Sequence, residues 1–425
     1  MKREEIITML SDCDLDSTLL DIYGDIEKIQ YQKKRYIKAV NTFAEKYGDR
    51  NLSIFSAPGR SEICGNHTDH QHGEVLAAAV NLDSIAVAAK NEDNRVVITS
   101  EGYHELVVSL DKIEYDKKEE GTTLSLVKGV LKGMLERGYK VGGFTAYVTS
   151  DVLIGAGLSS SASFEILIGT IVSGLYNEMS ISPIDAAVIG QYAENTFFGK
   201  PCGLMDQMAC SVGNLVHINF ANPKEPVTEK VEFDIDKYGY SLCITDTKGS
   251  HADLTDEYAA VPKEMKAVAQ LLGRDVLLGI TEEEIINNIN DIREKLGDRA
   301  LLRTMHFINE NKRVRQVVEL LSNGDINGFL RLVKESGDSS FKYLQNVYSN
   351  SDVNHQNVSV ALAISDTYLR ERGAVRIHGG GFAGTIQAFV KNEDVDGYKT
   401  LMDKVFGAGA CNVLKIRKYG GIKVV

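Results

Sequence analysis

A short polar stretch, "GRSEICGNHTDHQHG" at residues 59–73, carries an arginine, two carboxylates and three histidines between two apolar runs. Turn chemistry alone asks for Gly, Pro, Asn, Asp and Ser, so this set of side chains exceeds what a connecting loop needs. An arginine can neutralise an anionic group, and a carboxylate such as Asp69 can accept hydrogen bonds from two neighbouring hydroxyls. The stretch is therefore typical of a site that binds a polar small molecule.

A second stretch, "LIGAGLSSSASFEILIG" at residues 153–169, places two glycines and three consecutive serines ahead of an apolar helical segment. Gly155 and Gly157 allow the backbone to approach a ligand closely, and the amino end of the helix carries partial positive charge. Together they predict a phosphate-binding site. A serine run that only caps the helix explains the pattern equally well, and the Gly-Lys-Ser/Thr of a Walker A loop is absent.

Two further stretches combine carboxylates or glycines with apolar surroundings. "AENTFFGKPCGLMDQMAC", residues 193–210, contains the isolated carboxylates Glu194 and Asp206. Carboxylates seldom lie among apolar residues unless they are paired, metal-bound or catalytic, although Asp206 would also serve as a helix N-cap. "HGGGFAG", residues 378–384, lies between two strand-like runs and predicts either a close approach to a ligand or a loose hairpin.

These four stretches must be positioned by elements whose patterns change along the chain. Residues 1–50 have apolar positions at helical spacing, whereas residues 53–108 consist of β-branched runs separated by polar turns. The runs "EVLAAAVNL" and "IAVAAK" predict separate strands of a mostly antiparallel or mixed sheet. Helical periods dominate residues 254–345 before strand-like segments return. The segment "ANPKEPVTEK" predicts a boundary between two α+β halves, residues 1–225 and 226–425.

The chain has 425 residues, a formal net charge of -12, and a composition that is 43% hydrophobic and 25% charged. This is typical of a soluble globular protein long enough for two domains. The negative charge argues against nucleic acid or an anionic membrane as the main partner. Six cysteines without a Cys-x-x-Cys pair predict free thiols in a reducing compartment, and the sequence carries neither a secretory signal nor a membrane-length apolar run. We therefore expect a cytoplasmic protein.

The four stretches, in this order, resemble the motifs of the galactokinase branch of the GHMP kinase superfamily. "APGRSEICGNHTDHQHG" resembles the opening motif GR-x-N-x-I-G-E-H-T-D-Y-x-x-G, and "GAGLSSSASFE" is similar to the phosphate loop. "PCGLMDQ" resembles the catalytic-aspartate segment, "RIHGGGFAG" the third motif, and "SHADLTDEY" the H-x-L-x-x-S-E-Y stretch. The resemblance starts near Phe43 and implies an α+β, two-domain GHMP kinase architecture with the active site in the interdomain cleft.

The resemblance also implies the cofactors and the residues that would bind them. The phosphates of ATP would lie on the matching phosphate loop, at Gly155, Gly157, Ser159, Ser160 and Ser161. Mg²⁺ would be held by Ser161 and Glu194. The catalytic pair would be Asp206, beside the anomeric hydroxyl of a sugar, and Arg60, beside the transferred phosphoryl group. Phosphoryl transfer needs positioning and charge neutralisation more than covalent chemistry, and a guanidinium near an aspartate keeps the carboxylate ionised.

On the sugar side, His67, Asp69 and Tyr258 match the family's sugar-contacting positions. Asn66 stands where the family has a glutamate that faces the C6 hydroxyl of the sugar, and Glu62 stands where the motif has an asparagine. A glutamate would repel a C6 carboxylate, whereas an amide can donate to a carboxylate or pair with a neutral hydroxyl. "HTDHQHG" also resembles the H-x-D-H-Q-G-G stretch of plant galacturonic-acid kinases.

The resemblance therefore implies a monomeric, ATP- and Mg²⁺-dependent kinase acting on the anomeric hydroxyl of galactose. The alternative acceptor is a C6-modified galactose such as galacturonic acid. A catalytically silent sugar-and-ATP sensor is a second alternative, and the intact "GLSSSAS" loop, Asp206 and Arg60 argue against it. A homoserine or mevalonate kinase is disfavoured by the "HTDH" and "PCGLMDQ" matches.

Overall fold

The structure is a computed structural model that describes residues 1–153, 157–223, 225–249, 254–350 and 352–425. Its strands form two β-sheets flanked by helices, which is an α+β arrangement. The strands are β1 (Ser53–Cys64), β2 (Glu74–Lys90), β3 (Arg95–Ser100), β4 (Leu106–Ser109), β5 (Phe144–Ser150), β6 (Leu215–Asn219), β7 (Val227–Val231), β8 (Tyr240–Asp246), β9 (Ala374–His378), β10 (Thr385–Lys391), β11 (Cys411–Leu414) and β12 (Ile422–Lys423).

The α-helices belong to both halves of the chain. They are α1 (Arg3–Ser11), α2 (Asp16–Tyr23), α3 (Ile29–Tyr47), α4 (Thr123–Glu136), α5 (Ser160–Tyr176), α6 (Pro183–Tyr192), α7 (Met205–Val212), α8 (Thr255–Leu271), α9 (Glu282–Asn287), α10 (Ile289–Leu296), α11 (Asp298–Ser322), α12 (Ile326–Ser339), α13 (Asn357–Leu369) and α14 (Val395–Phe406). Helical turns of π type follow α6 and α12. Among the described helices, none is both long and apolar enough to cross a membrane.

The first sheet has the strand order β12-β1-β2-β5-β3-β4, and β6 and β7 continue it from the other part of β2. The β3–β5 pair is parallel and the other pairs are antiparallel, so the expected mixed sheet is confirmed. Helices α4 and α5 cover one face of this sheet, and α3 with the other amino-terminal helices covers another part of it.

The prediction of two strands in the second apolar run is wrong, because "EVLAAAVNL" and "IAVAAK" form the single 17-residue strand β2. Asp83 lies inside this strand and its side chain is fully buried. Arg35 Nη1 lies 2.6 Å from one carboxylate oxygen of Asp83, and Arg417 Nη1 lies 2.9 Å from the other. Two guanidiniums therefore neutralise the Asp83 carboxylate, so a charged residue that would be expected to end a strand is tolerated inside β2.

The expected boundary segment also contains a strand. Val227–Val231 forms β7, which pairs with β6 at the edge of the first sheet. An edge strand exposes most of its residues to solvent, so its polar composition resembles that of a connecting segment. The division into residues 1–225 and 226–425 stays a prediction.

The second sheet has the order β11-β8-β10-β9 and is antiparallel throughout. Helices α13 and α14 pack on one of its faces. The other face shares a core with α12, with α11 through Val314, and with apolar residues of β1 and β2, among them Ile63 and Leu76. This shared core joins the two sheets and holds the end of β1 against the second half of the chain.

Candidate active site

Arg60 and Asp206 form a bidentate ion pair at the centre of the candidate site. Arg60 Nε donates to Asp206 Oδ1 at 2.7 Å, and Arg60 Nη2 donates to Oδ2 at 2.8 Å. The Arg60 side chain is buried on β1, whereas the Asp206 side chain, in the first turn of α7, is 31% exposed. The aspartate accepts no capping bond from its own helix, so the capping alternative for Asp206 is wrong.

The phosphate loop docks directly on the strand that carries Arg60. The backbone N–H of Arg60 donates to the Leu158 carbonyl at 3.1 Å, and Arg60 Nη1 donates to the Gly157 carbonyl. A Cβ atom added at Gly59 would lie 2.9 Å from the Leu158 carbonyl oxygen, so only glycine permits this approach.

The serine run begins helix α5, but its first member does not cap the helix. Ser159 has a φ of 56° and its hydroxyl donates to Asp206 Oδ2 at 2.5 Å. Ser160 and Ser161 form the first helical turn, and Gly157 adopts a φ of 67° just before it. The arrangement therefore places Ser159 beside the carboxylate of Asp206. Gly155 lies outside the described residues.

Ser161 and Glu194 meet beneath the phosphate loop. Ser161 Oγ lies 3.5 Å from Glu194 Oε1, which also accepts from Lys200 Nζ at 3.2 Å. Glu194 occupies a π-helical turn and is 3% exposed. Hydroxyl and carboxylate oxygens are ligands that Mg²⁺ accepts, and this ion usually completes its shell with phosphates and water. Within the described part of the chain no three His, Cys, Asp or Glu side chains form a metal-holding group.

Three carboxyl groups lie near this point, and their environments set them apart. Burial would raise the pKa of Asp206, but Arg60, Ser159 and Lys200 together lower that pKa below its ordinary value. Burial, with the nearby charge of Glu194, raises the pKa of Glu165 well above its ordinary value. Asp206 is therefore ionised at neutral pH, as the sequence predicted from an adjacent arginine, while the buried Glu165 is shifted toward its protonated form.

The loop after β1 presents His67 and Asp69 toward the same region. His67 has a φ of 57°, and its Nε2 lies 2.9 Å from the Gly380 carbonyl oxygen. Asp69 begins a short 3₁₀ turn, where Oδ1 accepts from the His70 backbone N–H at 2.9 Å. A Cβ atom at Gly203 would lie 2.0 Å from Asp69 Oδ2, so this glycine makes room for the carboxylate. Burial raises the pKa of Asp69.

The second half of the chain supplies the opposite wall. Tyr258, in the first turns of α8, donates from its hydroxyl to the Gly381 carbonyl at 2.7 Å, and burial raises its pKa to about 12. Gly157 approaches His378 and Thr385 so closely that an added Cβ would lie 3.0 Å and 2.7 Å from their side chains. The structure thus brings Arg60, Asp206 and the phosphate loop together with the third glycine motif, between the two sheets as expected.

Asn66 has partners that the sequence did not anticipate. It is fully buried, and its amide nitrogen donates to Glu62 Oε1 at 3.1 Å and to the Gly379 carbonyl at 2.7 Å. Its amide oxygen accepts from Asn346 Nδ2 at 2.8 Å. The hydrogen bonds of this amide are thus made with protein groups, and its contact with a sugar stays a prediction.

Several buried polar residues of the site escaped the sequence analysis. Arg376 Nη2 donates to Glu62 Oε1 at 2.8 Å, and Glu310 accepts from the backbone N–H of Gly65 at 3.0 Å. His378 Nε2 lies 3.1 Å from Ser61 Oγ. The sequence did contain a signal for these contacts, because the apolar run "AVRIH" includes an arginine and a histidine. Charged side chains are rarely buried without a partner, so the run predicts polar partners elsewhere in the chain.

Comparison with known proteins agrees with this geometry. A family model described as the galactokinase galactose-binding signature matches residues 41–90. A second model, the GHMP kinases N terminal domain, matches residues 125–214. The two matched segments contain the Arg60 loop and the phosphate loop with Asp206.

Curated relatives match over most of their length. The chain is 30% identical over 367 residues to a galactokinase of Glaesserella parasuis, covering 85% of this chain and 91% of the relative. It is 28% identical over 371 residues to a galactokinase of Clostridium tetani, covering 86% and 89%. In three dimensions it superposes on the Lactococcus lactis galactokinase complexed with galactose with a TM-score of 0.76 at 23% identity, covering 90% of this chain and 98% of that one. The Methanococcus jannaschii mevalonate kinase superposes with a TM-score of 0.61 at 14% identity, covering 86% and 98%.

Proposed function

Because the chain belongs to the galactokinase family, we propose that it transfers the γ-phosphoryl group of ATP to the anomeric hydroxyl of galactose and so forms galactose 1-phosphate. The observation that carries this proposal is the Arg60–Asp206 ion pair, which lies against the Gly157 carbonyl of the phosphate loop. One cation and one ionised carboxylate thus meet where an acceptor hydroxyl and a phosphoryl group would come together.

Asp206 is proposed to accept the proton of the attacking hydroxyl. Its lowered pKa keeps it ionised, and its exposed face leaves room for a hydroxyl to approach. A positioned base of this kind contributes about 10²–10⁴-fold to rate. Arg60 would stabilise the negative charge on the phosphoryl group during transfer, since charge neutralisation is the main requirement of this reaction.

ATP is proposed to bind with its phosphates at Gly155, Gly157, Ser159, Ser160 and Ser161. The amino end of α5 supports this, because the first backbone N–H groups of a helix favour anions. Ser161 and Glu194 would hold Mg²⁺, which supplies charge neutralisation to the phosphates when it is bound. The buried position of Glu194 would orient its carboxylate toward that ion.

The sugar is proposed to contact His67, Asp69 and Tyr258 at the wall opposite the phosphate loop. Asn66 is fully buried, so it would influence binding of the C6 substituent indirectly, by holding Glu62 and the Gly379 carbonyl in place. The charge at this point supports tolerance of a C6-modified galactose as a second candidate substrate. The carboxylate of the Glu62–Asn66 pair is on Glu62 and is neutralised by Arg376, so it adds little repulsion toward an acidic sugar.

The proposal is tested by ADP release from the purified protein with galactose, N-acetylgalactosamine, galacturonate, glucose and arabinose. Turnover of galactose, with or without galacturonate, is the expected result. Binding of galactose and ATP without ADP release would identify a sensor instead of a kinase.

Size-exclusion chromatography of the same sample tests the expected monomer. The six cysteines, all free thiols in the structure, support the proposed cytoplasmic location.

A further inference from the structure

Gln207, the residue after Asp206, bridges two buried carboxyl groups. Its amide nitrogen donates to Glu194 Oε2 at 2.8 Å and to Glu165 Oε2 at 3.0 Å. Gln207 and Glu165 are each 1% exposed, and Glu194 is 3% exposed. Residues from α5, α7 and the π-helical turn after α6 therefore meet through one side-chain amide.

The hydrogen bonds fix the orientation of this amide. A glutamine nitrogen carries two hydrogens, and its nearest acceptors here are the two carboxyl groups, with Cys202 Sγ farther away at 3.8 Å. Two nearby oxygens, Gln207 Oε1 and Glu165 Oε1, have no hydrogen-bond partner among the described residues. No other hydrogen bond of these two atoms therefore favours a different orientation of the amide. Rotation of the amide by half a turn would direct its oxygen at Glu194 Oε2 and lose the bond to that carboxylate.

Gly190 of α6 makes the space for this bridge. An added Cβ at Gly190 would lie 3.0 Å from Gln207 Cγ and 3.0 Å from Glu165 Oε2. Such contacts are tighter than ordinary van der Waals contact, so the helix closes over the bridge as tightly as a glycine allows. Helix α6 therefore packs against the side of the bridge, while Glu165 and Glu194 bind the Gln207 amide at its two ends.

We propose that Gln207 is a positioning residue for the nucleotide-bound metal ion, with Glu165 as its anchor. Gln207 binds Glu194 Oε2 and so directs Oε1 toward the Ser161 hydroxyl, where the two oxygens lie 3.5 Å apart. This inference rests on the proposed role of Ser161 and Glu194. Groups that orient a metal ligand commonly change metal affinity by about 10–100-fold when they are removed.

The test compares Gln207→Met with Gln191→Met. Methionine has a similar length but no amide, and the Gln191 amide donates to the Cys202 carbonyl at 3.2 Å without contacting Glu194. Binding of Mn²⁺ is measured by electron paramagnetic resonance in the presence of a non-hydrolysable ATP analogue and without sugar. Gln207→Met is expected to weaken Mn²⁺ binding by about 10-fold, while Gln191→Met binds Mn²⁺ as the wild type does. Glu165→Leu should weaken binding in the same direction, and Glu165→Gln should recover most of it.

Steady-state kinetics provide a second readout. Gln207→Met should raise the Mg²⁺ concentration needed for half-maximal turnover and leave the KM for sugar unchanged. Wild-type Mn²⁺ affinity in a folded Gln207→Met protein would overturn the inference, and so would an equal loss of affinity in Gln191→Met. Should Gln207→Met not fold, Gln207→Asn, whose shorter side chain withdraws the amide from Glu194, is measured in its place. If the wild type phosphorylates no sugar but the contrast between the two methionine variants holds, the proposed function fails and this inference stands.

Discussion

The Asp206 carboxylate receives hydrogen bonds from one guanidinium and one hydroxyl, and both come from elements that precede it in the chain. Arg60 is on strand β1 and Ser159 is at the start of α5, so hydrogen bonds to the Asp206 carboxylate join these two segments. The charge of Asp206 also serves the fold, because Arg60 is buried and this is the carboxylate it pairs with at 2.7 Å. Removing the carboxylate therefore affects both chemistry and stability.

Asp206→Asn separates these two effects. The amide keeps the shape of the side chain and an oxygen that can accept from Arg60, but it cannot take up a proton from a hydroxyl. We expect kcat to fall by about 10²–10⁴-fold with a smaller loss of thermal stability than Asp206→Ala causes. ADP release and differential scanning calorimetry on both variants measure this. Near wild-type turnover by Asp206→Asn would contradict both the proposed proton acceptance and a requirement for the carboxylate charge.

The Arg60–Asp206 contact was predictable, whereas the partners of Asn66 were not. The ion pair followed from the resemblance of two short motifs to the galactokinase family, because its two residues are 146 positions apart. Glu62 and Arg376, in contrast, are separated by 314 positions, and sequence pattern does not reveal which distant buried charges meet. The same limit explains β2: Asp83 breaks the apolar pattern, and the arginines that neutralise it lie far away in sequence. Strand and helix periodicity located most elements because that periodicity is local.

The loop between β1 and β2 is held by an exchanged pair of residues. Relative to the family's opening motif, the carboxylate and the amide at positions 62 and 66 have changed places, and here they are hydrogen-bonded to each other at 3.1 Å. The carboxylate is neutralised by Arg376 of β9. The exchange therefore conserves the charge of the pair while moving it away from position 66.

Asn66→Glu is expected to destabilise the protein by about 3–5 kcal/mol, because it adds an uncompensated buried carboxylate beside Glu62. Glu62→Asn should also destabilise, since it leaves Arg376 buried without a carboxylate partner. The double variant retains one carboxylate and one amide and should recover most of the stability. Urea unfolding of the four proteins gives the coupling energy, and losses that simply add would contradict the exchange. Relative turnover of galactose and galacturonate by the double variant then shows whether the position of the charge sets the preference.

The same loop depends on an absent side chain at Gly203. This glycine precedes α7, and its backbone passes so close to Asp69 that a methyl group would strike the carboxylate. Its φ is not in the left-handed region, so alanine there is strained by contact alone. The effect of a substitution should therefore fall on Asp69.

Gly203→Ala is expected to raise the KM for sugar by about 10-fold or more, with little change in the KM for ATP, because a misplaced Asp69 carboxylate loses the sugar hydroxyls that it is proposed to bind. Gly169→Ala is the control, since a methyl group there meets only Met134 Cε at 3.4 Å, an ordinary contact. Initial rates with each substrate varied in turn give both constants. An equal rise in both constants would indicate general disruption of the site.

The two halves of the molecule are joined by a buried polar cluster centred on Glu310 of α11. Its carboxylate accepts from the backbone N–H of Gly65 at 3.0 Å and from the hydroxyl of Ser336 at 2.6 Å. Burial would raise the pKa of Glu310, but His306, Arg313 and Arg376 lower that pKa to about 2. The ionised carboxylate therefore helps to hold the loop between β1 and β2 against the second half of the chain.

This cluster gives the folded protein a specific response to acid. A carboxyl whose folded pKa is lowered stabilises the fold fully above its unfolded pKa of about 4.3, and that stability is lost as the pH falls toward 2. Glu310→Gln should be less stable than the wild type at pH 7, and the difference should shrink as the pH falls from about 4.3. Urea unfolding between pH 3 and pH 7 measures this, with Glu319→Gln, an exposed position on the same helix, as the control. A difference that does not change with pH would show that Glu310 contributes by shape alone.

The neutralisation of Asp83 also has a consequence for the order of folding. Arg417 reaches Asp83 and Ser56 across 334 and 361 positions of chain, and β12 then pairs with β1. Contacts of such separation form late, because a very long loop must close before they are rewarded. A nascent chain that has presented only its first half therefore holds a central strand with half of its counter-charge missing. The first sheet can begin to assemble early during synthesis. It reaches its native state only after the segment that carries Arg417 and β12 has been synthesised.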